Sequence, residues 1–196
     1  MRGLTFFRAV VIFTTCAAAV ASAQDIFPSP VIKISGQSQG SPAIGPDGTY
    51  YALAPASGST PQTPMTDLVA IGPPSAPATK WTVSLGGEVG QVLPGATDVY
   101  VVQTIVTGSG RSATSTTSVL VLSAASGSQG TPIIPAGTIE GIEVRTITSS
   151  TGASVDYLYI DTVATSSSTS GGTTTITTTR TLSIYSNGTL VKAVTL

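Results

Sequence analysis

The sequence predicts an all-β fold, a propeller-like array of about three four-stranded antiparallel blades with an extra strand at the N-terminal end. Three observations carry that expectation. Apolar and polar residues alternate with a period of two, and Val, Ile and Thr dominate these runs. Gly, Pro, Asn and Asp punctuate them at short intervals. The whole pattern recurs roughly every 50 to 60 residues, a spacing that suits four-stranded propeller units. Outside the first 23 residues no stretch has a convincing helical period.

Residues 1–23 read as a secretory signal peptide. Arg2 and Arg8 mark a positively charged start, an apolar run continues to Val20, and Ala21-Ser22-Ala23 is a small-x-small cleavage pattern ahead of Gln24. The run is too short to favour a membrane span. Thr14 and Thr15 before Cys16 do not resemble a lipobox. Residues 24–196 then form one domain with enough chain for a sizeable core. Cys16 is the sole cysteine, so the mature chain carries neither disulfide nor thiol. An exported domain without bridges points to a bacterial periplasm or cell surface. Without Arg2 and Arg8, six basic residues face nine acidic ones, with no basic stripe. Nucleic acid and anionic membrane surfaces are thereby disfavoured as partners, and the mature chain has no transmembrane segment.

Each strand can be placed from the repeat. "QGSPAIGPDGTYYAL" (39–53) corresponds to "VGQVLPGATDVYVVQ" (89–103) and, with a longer turn, to "EGIEVRTITSSTGASVDYLYI" (140–160). Gly40, Gly90 and Gly141 lead these copies, and Tyr50, Tyr100 and Tyr159 begin or line the strand that packs between sheets. Pro46-Asp47-Gly48 has tight-turn chemistry. "TDLVAIGP" (66–73), "SVLVLSA" (118–124) and "RTLSIYSNG" (180–188) supply the third strand of each unit. "TKWTVSLGG" (79–87), "GTPIIPAG" (130–137) and "TLVKAVTL" (189–196) supply the fourth. Asn187-Gly188 is a two-residue hairpin signal. The units therefore span about 38–87, 88–137 and 138–196, with "PVIKISGQ" as a lead-in strand at 30–37.

"SPAIGPDGTYYAL", "LVAIGP" and "KWTVSLGG" together resemble the PQQ-like β-propeller repeat. That repeat occurs in quinoprotein dehydrogenases and in the propeller lipoprotein of the outer-membrane β-barrel assembly machinery. The resemblance implies that Trp81 docks between neighbouring blades. It is specific over residues 30–90, fair in the second unit and degenerate in the third, and the later units lack the tryptophan. Closed propellers use roughly 4 to 8 blades. Three units therefore imply an open arc, two chains closing one ring, or a shortened gene product. An open arc needs a cap or a partner, so assembly or an unusual small closure is favoured.

The chain has no histidine, which removes the commonest general base and imidazole metal sites. A carboxylate-only mechanism needs two acids at one cleft. Glu140 and Glu143 have odd spacing on a strand and are expected on opposite faces. Arg145 shares a face with Glu143 and suits a local ion pair. Gln91, Glu140, Glu143 and Arg145 are the candidate channel-facing polar residues. Asp47, Asp98 and Asp156 fall at the equivalent turn of each unit and read as turn caps. Gly108-Ser109-Gly110 is a loop tip that does not open a helix, so no phosphate site is expected. No catalytic, cofactor-binding or metal residue is assigned, and no cofactor is expected.

"VATSSSTSGGTTTITTTRTL" (163–182) reads as two Thr/Ser strands folding back at Gly171-Gly172, and "VTGSGRSATSTTSV" (106–119) as a shorter version. Exposed Thr-rich strands can pair with another chain. The expected function is an exported non-catalytic scaffold or binding module that engages a protein or envelope component, or associates with itself as a homodimer. The alternatives are a quinone-dependent or other cofactor-binding propeller, and a surface structural or adhesive protein assembling through open edges.

Overall fold

Turn residues and alternation place eleven strands in the computed structural model, which describes residues 42–60 and 63–196. The expected signal peptide, the expected lead-in strand at 30–37 and Gly40 fall outside them. The first sheet contains β1 (Ala43–Ile44), β2 (Tyr50–Pro55), β3 (Met65–Ile71) and β4 (Thr79–Gly86), in that order. The second contains β5 (Glu88–Pro94), β6 (Asp98–Thr107) and β7 (Thr114–Ser123). The third contains β8 (Thr138–Thr148), β9 (Ser154–Ser170), β10 (Thr173–Ser186) and β11 (Thr189–Thr195), again in sequence order. Every pairing between these strands is antiparallel. No α-helix occurs among the described residues, and no helix there is long and apolar enough to cross a membrane. One short 3-10 turn, Gly110–Ser112, caps the β6–β7 hairpin.

The second unit departs from the expected four strands. Its sheet has three, and the segment expected as the fourth touches β7 only at two isolated bridges, Val119 with Ile133 and Leu122 with Gln129. Pro132 and Pro135 lie in this segment and lack the N–H that a ladder needs. What remains is irregular chain held by a few bonds, such as the 2.8 Å pair exchanged by Val119 and Ile133.

The turns follow their chemistry. Gly48 takes a φ of 78° in the β1–β2 turn, and Asp47 accepts the Thr49 N–H at 2.9 Å and its hydroxyl at 2.6 Å. Asn187 and Gly188 have φ of 49° and 73°, the paired left-handed geometry that joins β10 to β11.

The core explains why the three sheets stay together. Along β6, Val99 and Val101 enter one apolar cluster while Tyr100 enters another. Along β7, Leu120 and Leu122 join the first cluster, and Val119 and Val121 the second. Successive strand residues point to opposite faces. The second sheet is therefore buried on both sides, which accounts for the unbroken apolar runs Val99–Val102 and Val119–Leu122. The first cluster takes Tyr51, Leu53, Leu68, Ala70, Trp81 and Leu85 from the first sheet. The second takes Leu158 and Ile160 from the third. The described residues form a stack of three antiparallel sheets in sequence order.

Candidate functional site

Two polar ties reinforce the apolar clusters between sheets. Gln103 is buried on β6, and its side-chain amide donates to the Gly86 carbonyl at the end of β4. The stronger tie is Asp156 on β9, which is fully buried. It reaches across to the β5–β6 turn of the second sheet. Its carboxylate accepts the backbone N–H groups of Ala96 at 2.9 Å, Thr97 at 2.7 Å and Asp98 at 3.0 Å. It also accepts the hydroxyls of Thr97 at 2.9 Å and Thr146 at 2.6 Å. Three consecutive N–H groups converging on one anion form a backbone nest. Gly95 leaves room for it, since a Cβ there would stand 2.3 Å from an Asp156 oxygen. Burial pushes the Asp156 carboxyl up, but the bonds from Thr146, Ala96, Thr97 and Asp98 outweigh burial and hold it below its usual value.

The three aspartates expected to act alike do different things. Asp47 caps its own turn and pairs with Lys80 at 3.2 Å. Asp156 caps nothing local and clamps the neighbouring sheet. Asp98 is held above the usual carboxyl value by burial first, with the Asp156 charge adding to it and a bond from Thr97 opposing it.

Tyr100 is also fully buried, and its hydroxyl has no hydrogen-bond partner. Burial, then the charges of Asp98 and Asp156, push its ionisation well above the normal range. An orphan buried hydroxyl costs stability. Tyr100→Phe is accordingly expected to leave the fold as stable or more stable by about 1 kcal/mol, read from urea unfolding. A loss of similar size would show that the hydroxyl has a partner.

Trp81 on β4 docks against the second sheet. Its indole N–H donates to the Ala124 carbonyl at 3.0 Å, and its ring tilts against Tyr51 at a centroid distance of 5.8 Å. Gly127 lies under the ring, where a Cβ would come within 2.7 Å of it. Tyr50 does not pack between sheets as expected. It is exposed, and Tyr51, one residue on, takes the inward position. Tyr159 is half-buried and faces away from the core that takes Leu158 and Ile160.

The candidate channel residues do not converge on one site. Gln91 and Glu140 line an open groove of about 700 Å³ between the second sheet and the start of β8. Glu143 and Arg145 lie further along β8, joined by a 2.9 Å ion pair, both exposed. The expectation that Glu140 and Glu143 occupy opposite faces is overturned by a β-bulge. Ile139 pairs with Thr162 and Gly141 with Asp161, so Glu140 is the inserted residue. Ile139 and Ile142, three apart, both pack on the second cluster, and both glutamates are exposed. Among the described residues no group of three or more His, Cys, Asp or Glu side chains is placed to hold a metal ion.

A surface that residue-by-residue reading misses is the outer face of the third sheet. Register places Tyr159 beside Glu143 and Ile184, and Ile184 beside Lys192. Leu182 lies beside Asp161 and Val194, and Val155 beside Ile147. All alternate with the inward-facing Asp156, Leu158 and Ile160. The result is an aromatic and aliphatic patch rimmed by the Glu143–Arg145 and Asp161–Arg180 ion pairs and by Lys192. The signal was present in "DYLYID", where Tyr157 and Tyr159 alternate with Leu158 and Ile160, unlike a strand with one solvated polar face.

No protein-family model matches the chain, and no match is found among curated proteins or solved structures.

Proposed function

We propose that the chain is an exported, non-catalytic scaffold of three propeller-type units similar to PQQ-like repeats, and that it holds a protein partner on the outer face of the third sheet. One observation carries this reading. The patch formed by Tyr157, Tyr159, Leu182, Ile184 and Val194 has an apolar centre and a charged rim, which is how protein interfaces are composed. The sheet stacking supports the propeller-type relation between units, since each sheet presents one face to its neighbour in chain order. The wedge of Trp81 over Gly127 supports the repeat resemblance. The polar ties found between sheets engage turns and carbonyls of the fold itself, which is scaffold chemistry.

The double variant Tyr159→Arg with Ile184→Arg tests the docking face. Both side chains are half-buried and turned away from the core. The variant should melt within a few degrees of the parent and retain none of the envelope protein that, on this reading, the parent captures. Retention of that protein at parental stoichiometry would place the contact elsewhere.

A further inference from the structure

The β9–β10 ribbon outruns its neighbours. Pairing of β8 with β9 stops at Thr138 with Val163. Pairing of β11 with β10 stops at Thr195 with Thr181, followed by one bond from the Leu196 N–H to the Arg180 carbonyl. Beyond those points Ala164–Ser170 and Thr173–Thr179 pair only with each other. Each thus carries a free edge among the described residues, and all these side chains are exposed. Exposed edges are normally protected by charge, proline, bulges or brevity. Here Asp161 and Arg180 bracket a stretch with no charged residue and no proline, and the β9–β10 register runs through it without a shift.

The two edges are not equivalent. The β9 edge, "ATSSSTS", is serine-rich with no apolar side chain larger than alanine. The β10 edge, "TTTITTT" (173–179), is β-branched throughout and reads the same in both directions about Ile176. Antiparallel pairing of two copies about one residue is two-fold symmetric, and here it sets threonine on threonine at every position off the axis. Antiparallel pairing about Ile176 sets Thr173 opposite Thr179, Thr174 opposite Thr178, Thr175 opposite Thr177, and Ile176 opposite itself. Arg180 falls opposite Gly172, so no charge meets its like. Threonine-on-threonine pairing already occurs inside the chain, with hydroxyls 2.8 Å apart in Thr107–Thr114 and 3.1 Å apart in Thr169–Thr174. Ile176 is 68% exposed, the sole large apolar side chain of the ribbon, and it would be covered by its own copy.

We propose that the protein forms a two-fold dimer by antiparallel pairing of the β10 edges, Thr173–Thr179 of each copy, centred on Ile176. This contact is separate from the outer face of the third sheet and stands or falls without it.

Both apolar clusters lie within residues 43–185, so residues 24–196 are a suitable sample, and they contain no cysteine. Opposed strand residues have Cα atoms about 4.5–5.5 Å apart, within disulfide range. Under mild oxidation Ile176→Cys should give a covalent dimer in high yield, while Thr173→Cys should give little and Thr173→Cys with Thr179→Cys should restore it. In light scattering across a dilution series the parent should dissociate to monomer, and Ile176→Lys should raise the dissociation constant at least tenfold. The Tyr159→Arg, Ile184→Arg double variant should dimerise like the parent. A parent that stays monomeric at all concentrations, equal cross-linking at 173 and 176, or an Ile176→Lys dimer as tight as the parent's would overturn the proposal.

Discussion

Asp156→Asn is expected to cost the fold about 3 kcal/mol, a large effect for a near-isosteric substitution. The buried carboxylate collects five donors from two sheets. An asparagine keeps one acceptor oxygen and turns an NH2 toward donors that then have nothing to donate to. The melting temperature should fall by roughly 6–12 °C. The pH dependence follows in sign. The folded value of Asp156 lies below its unfolded value, so its contribution is complete above the ordinary aspartate value of about 3.9 and is lost as pH falls through the depressed folded value. Asp98 runs the other way. Its folded value is raised, so protonation in that range returns a little stability. The parent should lose stability steeply in acid, and Asp156→Asn should show a flatter curve below the aspartate range. An equally steep acid loss in the variant would mean that other carboxylates carry it.

Trp81→Ala is expected to cost about 3–5 kcal/mol, by removing a large buried ring and leaving a cavity. Trp81 contacts Tyr51 on its own sheet and the Ala124–Gly127 turn that follows β7. The loss should therefore uncouple the first two sheets. Hydrogen exchange should show β1–β4 amides losing protection first, while β8–β10 remain protected. Trp81→Phe should cost less, because it keeps much of the ring and gives up the bond to the Ala124 carbonyl. Gly127→Ala should be costly at the same contact for the opposite reason, since its φ of 71° and the ring 2.7 Å from a Cβ both oppose a side chain. Uniform loss of protection across all three sheets would argue against this division.

Local chemistry was readable where it is local. The Gly171-Gly172 and Asn187-Gly188 reversals, the Asp47 turn and the Thr-rich ribbon all follow from short-range pattern, and the structure has them. The third-unit hairpins came out where alternation put them. Three things were not readable because they depend on contact between units. Asp156 looks like a third turn aspartate, yet its partners in the second sheet lie about sixty residues away in sequence. The bulge at Glu140 shifts the parity of β8, and its one mark in the sequence is the three-residue step from Ile139 to Ile142, which strict alternation does not read. Tyr50 and Tyr51 are adjacent aromatic residues, and only the register against Ile71 and Ala70 decides which faces inward. The missing fourth strand of the second unit had a visible cause in Pro132 and Pro135, which weigh more against a ladder than Ile133 and Ile134 weigh for one. The outer face of the third sheet became a candidate site once β9 and β10 were in register.

The docking face is tested most directly by a photo-reactive amino acid placed at Tyr159, with Thr82 on the first sheet as the exposed control. Irradiation of cells producing the chain should give one discrete adduct from position 159, with a mass that differs from twice the chain, and none from position 82. Adducts of equal yield from both positions, or a partner captured at 82 alone, would contradict the placement of the binding face on the third sheet.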